Sequence, residues 1–338
     1  MFSSGLWYFS PTGARRLENE SIMDTMQAIH AGWVIPVEPE GVVYERHTIL
    51  IDDARITSII PTADWRRPSH AVVEVDCTEH VLIPGLINAH THAAMSLFRG
   101  MADDRPLMEW LEQHIWPAEA SFVNREFVRE GTRLATAEML LGGTTCFNDM
   151  YFFPDEAAAA AVEAGIRAVI GMIVIGFPST WAHNVDEYLR KGEEVHDRFR
   201  SHPLITTAFA PHSPYTVDDD ALRRIATLSD ELDLPIHIHL HETQREVDDA
   251  LAATKMRPLR RLGALGLQSP RLVAVHMTAL DSEEIEILSR TGTHVVHCPE
   301  SNLKLASGFC SVAELVAQGI NVACGTDSAA SNNDLDML

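Results

Sequence analysis

The chain has 338 residues, with 26 Lys plus Arg against 48 Asp plus Glu and a formal charge of −22. That excess of carboxylates argues against nucleic acid and an anionic membrane surface as partners, since both select clustered Lys and Arg. A composition of 46% apolar and 22% charged residues excludes an intrinsically disordered chain, and the longest apolar stretch, Ala168–Phe177, is about half of the ~20 residues a spanning helix needs.

Residues 1–26 show no clean period and read as a leader, disordered or artefactual; they lack the basic start and cleavage site of a signal peptide. From Gln27 to His80 short β-like runs recur at Ala31–Val37, His47–Ile51, Ile56–Ile60 and Val72–Val75, which predicts a small β module over 27–80. From Val81 apolar runs alternate with helical stretches. The runs are Val81–His92, Thr145–Met150, Arg167–Gly176, Ile205–His212, Pro235–His241, Arg271–Met277, His294–Cys298 and Asn321–Asp327.

Helical patterns lie between them at Val123–Leu141, Asp155–Ala164, Val185–Phe199, Asp218–Leu232, Gln244–Leu265 and Ser282–Ser289. Ser282 before Glu283 and Glu284 predicts an N-cap with acids in the first turn, and Asp218–Asp220 does the same at another helix start. Eight β runs with helical crossovers predict an α/β fold, a (β/α)8 TIM-type barrel over 81–338, close to the ~250 residues typical of that fold. The rival, an open doubly wound sheet, is weakened by the lack of a Gly-rich phosphate loop. The five cysteines, Cys77, Cys146, Cys298, Cys310 and Cys324, form no CxxC; an odd count suits buried thiols in a reducing cytoplasm.

Chemistry concentrates at the predicted strand ends. In Pro84-Gly85-Leu86-Ile87-Asn88-Ala89-His90-Thr91-His92, two histidines at i and i+2 share one face. Imidazole is the commonest metal ligand and suits zinc. Alone, such a pair is more often a surface or core pair than a metal site. Period 2 also aligns His237, His239 and His241, and spacing leaves open which of them binds metal, with His237 deepest and His241 nearest the mouth. Glu242 lies off that face unless the strand ends near His241 and the chain turns inward. His276 and Asp327 each close an apolar run, where barrels of this kind build their sites. Together, two or three imidazoles and a carboxylate on separate strands have the composition of a catalytic zinc site. His294 and His297 read as packing residues, Lys304 as an ion-pair residue of open role, and the cysteines as core thiols.

The stretches at 84–100 (PGLINAHTHAAMSLFRG), 142–152 (GGTTCFNDMYF), 210–216 (APHSPYT), 237–243 (HIHLHET), 298–308 (CPESNLKLASG) and 325–337 (GTDSAASNNDLDM) resemble the amidohydrolase superfamily, and within it the 5′-methylthioadenosine/S-adenosylhomocysteine deaminases. The resemblance covers roughly residues 27–338. It implies a metal-dependent aminohydrolase with metal ligands His90, His92, His239 and Asp327, and a proton-handling set of Glu242, His276 and Asp327. It implies substrate contacts at Glu119 (the ribose hydroxyls), His212, Trp110 and Glu242. One divalent ion, Zn²⁺, is implied, because the run ending Phe209-Ala210-Pro211-His212 lacks the bridging lysine of binuclear members.

The implied reaction converts the adenine ring of 5′-methylthioadenosine, S-adenosylhomocysteine or adenosine to the inosine analogue plus ammonia. Segment Ala168–Asn184 has no Lys or Arg to meet a homocysteine carboxylate, so the methylthio substrate is expected to be preferred. Alternatives are a related amidohydrolase acting on guanine, cytosine or an s-triazine, and a non-catalytic metal- or purine-binding barrel. The expected partner is a small nucleoside, with neither nucleic acid nor membrane; barrels of this kind commonly form homo-oligomers, though no interface is legible. Family members continue beyond GTDS through an eighth helix and the second half of the β module, so the chain is expected to be truncated after strand 8, leaving 27–80 as part of a composite β-sandwich.

Overall fold

The computed structural model describes residues 26–338, together with the backbone of two short strands that pair antiparallel, β1 (Trp7–Ser10) and β2 (Gly13–Arg16). Apart from those strands, the leader expected at 1–26 lies outside the described residues. The chain divides into two compact units at Gly85/Leu86.

The first unit holds β3 (Met26–Val34), β4 (Tyr44–Asp52), β5 (Arg55–Pro61) and β6 (Val72–Leu82), in the sheet order β5-β4-β3-β6. β3 pairs antiparallel with β4 and parallel with β6. Its core is small: Ala31, Val34 and Ile49 are buried, with Ile29, Tyr44, Ile51, Ile59 and Leu82 against them. The module therefore extends past the expected 80. Val81 and Leu82 pair with Trp33 and Val34 in this sheet rather than opening the barrel.

The second unit is an eight-stranded parallel sheet. Its strands are β7 (Leu86–Thr91), β8 (Thr144–Tyr151), β9 (Arg167–Val174), β10 (Ile205–Pro211), β11 (Ile236–Leu240), β12 (Leu272–His276), β13 (His294–His297) and β14 (Val322–Cys324). They neighbour one another in chain order, as in a (β/α)8 barrel. The ends of the sheet meet. Asn88 Nδ2 donates to Thr326 Oγ1 at 2.7 Å, the Thr326 N–H donates to Asn88 Oδ1 at 3.0 Å, and the Asp327 N–H donates to the His90 carbonyl at 3.0 Å. Gly325 makes this approach possible, because a Cβ there would lie 2.7 Å from the His90 nitrogen.

The crossover helices follow from capping and apolar spacing. Asn124, Asn184, Asp218 and Thr243 each accept a backbone N–H of the first turn. The Ala-rich helix Pro154–Ala164 buries Ala157, Ala158, Ala160 and Ala161 completely, so it lies close to the sheet. Two expectations need correction. The N-cap of helix Ser282–Thr291 is Asp281, not Ser282, and it forms a full capping box with Glu284. The expected single helix Gln244–Leu265 is two helices, Gln244–Thr254 and Pro258–Ala264, broken by left-handed Lys255 and by Pro258 at a helix start.

Candidate active site

Three of the site strands end with an abrupt turn that aims a side chain. His241, His276 and Asp327 adopt left-handed backbone angles, φ 52°, 79° and 63°. Non-glycine residues pay about 1–3 kcal/mol for such angles, and they cluster where the surrounding structure requires a particular aim. β11 stops at Leu240, so the left-handed turn at His241 breaks the period-2 alternation. Glu242, off the inward face of an extended strand, thereby joins the site and is buried. His241 leaves it: its Nδ1 donates to the Ala279 carbonyl at 2.9 Å and its Nε2 accepts the Leu259 N–H at 3.0 Å. The expectation that His241 lies nearest the mouth is corrected accordingly.

His90, His92, His239 and Asp327 converge. His239 Nε2 stands 3.2 Å from both His90 Nε2 and His92 Nε2. Asp327 Oδ1 stands 3.4 Å from His90 Nε2 and 3.3 Å from His92 Nε2. Four ligands about 2.0–2.1 Å from one ion at tetrahedral angles stand about 3.3–3.4 Å apart. The protonation pattern agrees. His92 Nδ1 donates to the Met150 carbonyl and His239 Nδ1 to the His212 carbonyl. Carbonyls only accept, so in the neutral rings each Nε2 presents a lone pair to the centre.

Burial favours the neutral rings of His90 and His239: it pulls His90 down to about 4 and His239 well below its usual value. Burial pushes the other way on Asp327, but His90, His92 and His276 outweigh it and hold that carboxyl well below its ordinary range. Converging lone pairs and a carboxylate oxygen repel one another unless a cation lies among them, and the donor set fits a divalent metal.

Partners behind the donors fix their aim, as in metal sites generally. His90 Nδ1 lies 3.0 Å from His237 Nε2, and Ser301 Oγ donates to Asp327 Oδ2 at 2.7 Å. His237 is thus the deep member of its strand, as expected, and backs His90. In the sequence reading His237 was one of three histidines left open as the metal ligand, and Ser301 carried no role. Ser301 lies in the SNLK run, which held the only hint.

Glu242 and His276 face each other across the same floor, with His276 Nε2 3.8 Å from Glu242 Oε1 and 4.0 Å from Asp327 Oδ2. His276 Nδ1 donates to Asn302 Oδ1 at 2.9 Å, which leaves Nε2 for the pocket. Burial, then the Asp327 charge, pushes the Glu242 carboxyl well above its usual range, which favours its protonated form. Its backbone is clamped, because Glu246 accepts the His241 and Glu242 N–H groups at 3.1 and 2.8 Å.

The pocket over this floor encloses ≈ 680 Å³ of empty space, its mouth included. One wall is the helical stretch 107–122. Its middle, Leu111–Ile115, is a π turn between α-helical Leu107–Trp110 and Trp116–Phe122. The wider turn inserts one residue into the helical phase. Leu107, Trp110 and Leu111 face the pocket before it, and Ile115, Trp116 and Glu119 after it. Glu119 is half-buried, and burial raises its carboxyl to about 7 while Tyr151 lowers it. His212 also lines the pocket, its ring 5.0 Å from that of His239 and its Nδ1 3.0 Å from Thr216 Oγ1. Of the nine site residues that the resemblance implied, eight therefore line one pocket, and the ninth, His90, lies beneath it.

The remaining residues are placed as follows. His294 Nδ1 lies 3.1 Å from the Asn321 amide nitrogen, and His297 is half-buried away from the pocket. Lys304 Nζ pairs with Asp103 at 2.8 Å and donates to the Asn332 carbonyl at 2.9 Å. The five cysteines are free thiols, but only Cys298 is fully buried and Cys324 is exposed, which corrects the expectation of core thiols.

Residues 81–338 match the amidohydrolase family, and the chain belongs to it. It is 52% identical over 310 residues to a 5-methylthioadenosine/S-adenosylhomocysteine deaminase of Saccharophagus degradans, covering 92% of this chain and 70% of that protein. It is 43% identical to a 5′-deoxyadenosine deaminase of Methanothermobacter thermautotrophicus, covering 95% and 72%. Among solved structures, an adenosine deaminase from Xanthomonas campestris with bound zinc matches at TM-score 0.90 and 52% identity, over 92% of this chain and 71% of that one. No described helix is long and apolar enough to cross a membrane.

Proposed function

We propose that the chain hydrolyses the exocyclic amine of the adenine ring in a 5′-substituted nucleoside, 5′-methylthioadenosine foremost, giving the inosine analogue and ammonia. His90, His92, His239 and Asp327 hold one divalent ion, zinc. The observation that carries the reading is the placement of the buried Glu242 beside the His90, His92, His239 and Asp327 cluster, under a wall that presents a second carboxylate, Glu119. The names of relatives at 43–52% identity point to the same chemistry.

A divalent ion in this cluster lowers the pKa of water from 15.7 toward ~7, which supplies hydroxide at neutral pH. The chain's residues do the rest. Glu242 gives its proton to the ring nitrogen beside the amino-bearing carbon, which draws electrons from that carbon as the water oxygen bonds to it. Asp327 Oδ2 takes the water proton, with His276 Nε2 4.0 Å away to steady the charge. That proton passes to the amino group, the C–N bond breaks, and ammonia leaves. The hydroxyl left on the ring gives its remaining proton back to Glu242, and the oxygen stays as the new carbonyl. Glu119 accepts the ribose hydroxyls, Trp110 covers the base, and His212 contacts the substrate. Among the described residues, the pocket lining has no Lys or Arg, and Ile173, Ile175 and Phe177 make one side apolar. This supports an uncharged 5′ substituent.

The test is Glu242→Gln. Turnover of 5′-methylthioadenosine is expected to fall about 10²–10⁴-fold while the ion stays bound; undiminished turnover would remove Glu242 as the acid.

A further inference from the structure

Tyr151 closes β8 beside the metal floor, and Glu119 stands on helix Trp116–Phe122; both line the pocket. Tyr151 is 3% exposed, and its hydroxyl oxygen is buried with no hydrogen-bond partner. Buried phenols normally find one. Among the described residues with a buried, unpartnered side-chain polar atom, Tyr151 alone lines the pocket. Its ring is held in place, 5.3 Å from Phe152 and 6.3 Å from His92 between centroids.

The charged group nearest in effect is Glu119. Burial and the Glu119 carboxylate both hold the phenol in its protonated form, and the phenol in turn favours the ionised form of Glu119. Tyr151 is therefore a fixed O–H donor next to a carboxylate. A carboxylate offers about four acceptor sites on two oxygens. A vicinal diol uses two of them, which leaves room for a third donor from the wall.

We propose that Tyr151 is a positioning residue for Glu119: its hydroxyl donates to that carboxylate while the carboxylate accepts the vicinal diol of the substrate's sugar. The phenol already feels the Glu119 charge but has no partner at ordinary hydrogen-bond distance, and sugar binding tightens that contact. This rests on the nucleoside reading above and assigns a residue that reading leaves idle. Trp116, about one helical turn before Glu119, packs edge-on to Phe177 at 5.7 Å in the same pocket lining.

The experiment is Tyr151→Phe in the metal-loaded full chain, with adenosine and 2′,3′-dideoxyadenosine as paired substrates. The hydroxyl has no partner at ordinary hydrogen-bond distance in the free protein, so its removal is expected to leave metal content and thermal midpoint nearly unchanged. KM for adenosine is expected to rise roughly ten- to hundredfold, the range of a hydrogen bond to a charged group, with kcat nearly constant. KM for the dideoxy substrate is expected to stay the same. In a Glu119→Gln background, Tyr151→Phe is expected to add nothing further. Equal KM changes for both substrates would mean a packing role and overturn the inference, as would no change at all. If the unaltered chain turns over neither nucleoside, the functional reading itself fails, and this role with it.

Discussion

The floor of the pocket and its wall are made differently. The floor takes one or two side chains from each of four strand ends, every donor held from behind by a carbonyl, a histidine or a hydroxyl. The wall is one interrupted helical stretch, 107–122, whose π turn swings Trp116 and Glu119 toward the pocket. Strands fix position to a fraction of an ångström because both neighbours constrain them; a helix that carries an irregular turn is set by packing alone. Chemistry therefore belongs to the floor and substrate choice to the wall. Changes in the floor should lower kcat or metal affinity, and changes in the wall should move KM.

The sharpest break would come at Glu242. Glu242→Gln keeps the shape but removes the transferable proton, and kcat should fall about 10²–10⁴-fold with metal content unchanged. A fall in metal content of the same size would merge acid and ligand roles. Behind the floor, His237→Leu removes the partner of His90 Nδ1. Metal affinity should drop roughly 10–100-fold in a competition titration, with KM at saturating metal little altered. An unchanged affinity would detach His237 from the site.

The wall is tested by substrate. Among the described residues its lining has no cation, so the homocysteine carboxylate lacks a charge-assisted pair of about 1.5–3 kcal/mol. kcat/KM should favour 5′-methylthioadenosine over S-adenosylhomocysteine by roughly ten- to hundredfold; a preference for the latter would contradict the apolar arm. The smallest effect is a pH dependence. Burial raises Glu119 to about 7, so it is protonated below that pH and loses its capacity to accept both ribose hydroxyls. KM for nucleosides should rise severalfold as pH falls through about 7, and Glu119→Gln should flatten that rise. An identical pH profile in the variant would place the titrating group elsewhere.

Much of the floor was legible because strands have a rigid period. Two histidines two apart on a strand must share a face, and His90, His92 and His239 do converge. What period 2 could not show is where a strand stops. β11 ends at Leu240, and the left-handed turn that follows exchanges His241 for Glu242. The helical wall was less legible. A π turn leaves no composition signal, so the face carrying Glu119 could be assigned only through resemblance. Pro258 was a visible stop for the long helix expected over 244–265, and apolar spacing outweighed it. Val81 and Leu82 have the same β-like composition as barrel strands, and pairing partners, absent from a one-dimensional reading, assigned them to the small sheet.

The central claim is that one metal-dependent floor deaminates a nucleoside held by the wall. The most direct measurement follows the ultraviolet shift from adenine to hypoxanthine on 5′-methylthioadenosine, before chelation, after it, and after zinc is restored. Turnover should disappear with the metal and return with it, with ammonia released in equal amount. A chain that binds one equivalent of zinc tightly yet leaves the adenine spectrum unchanged would contradict the account.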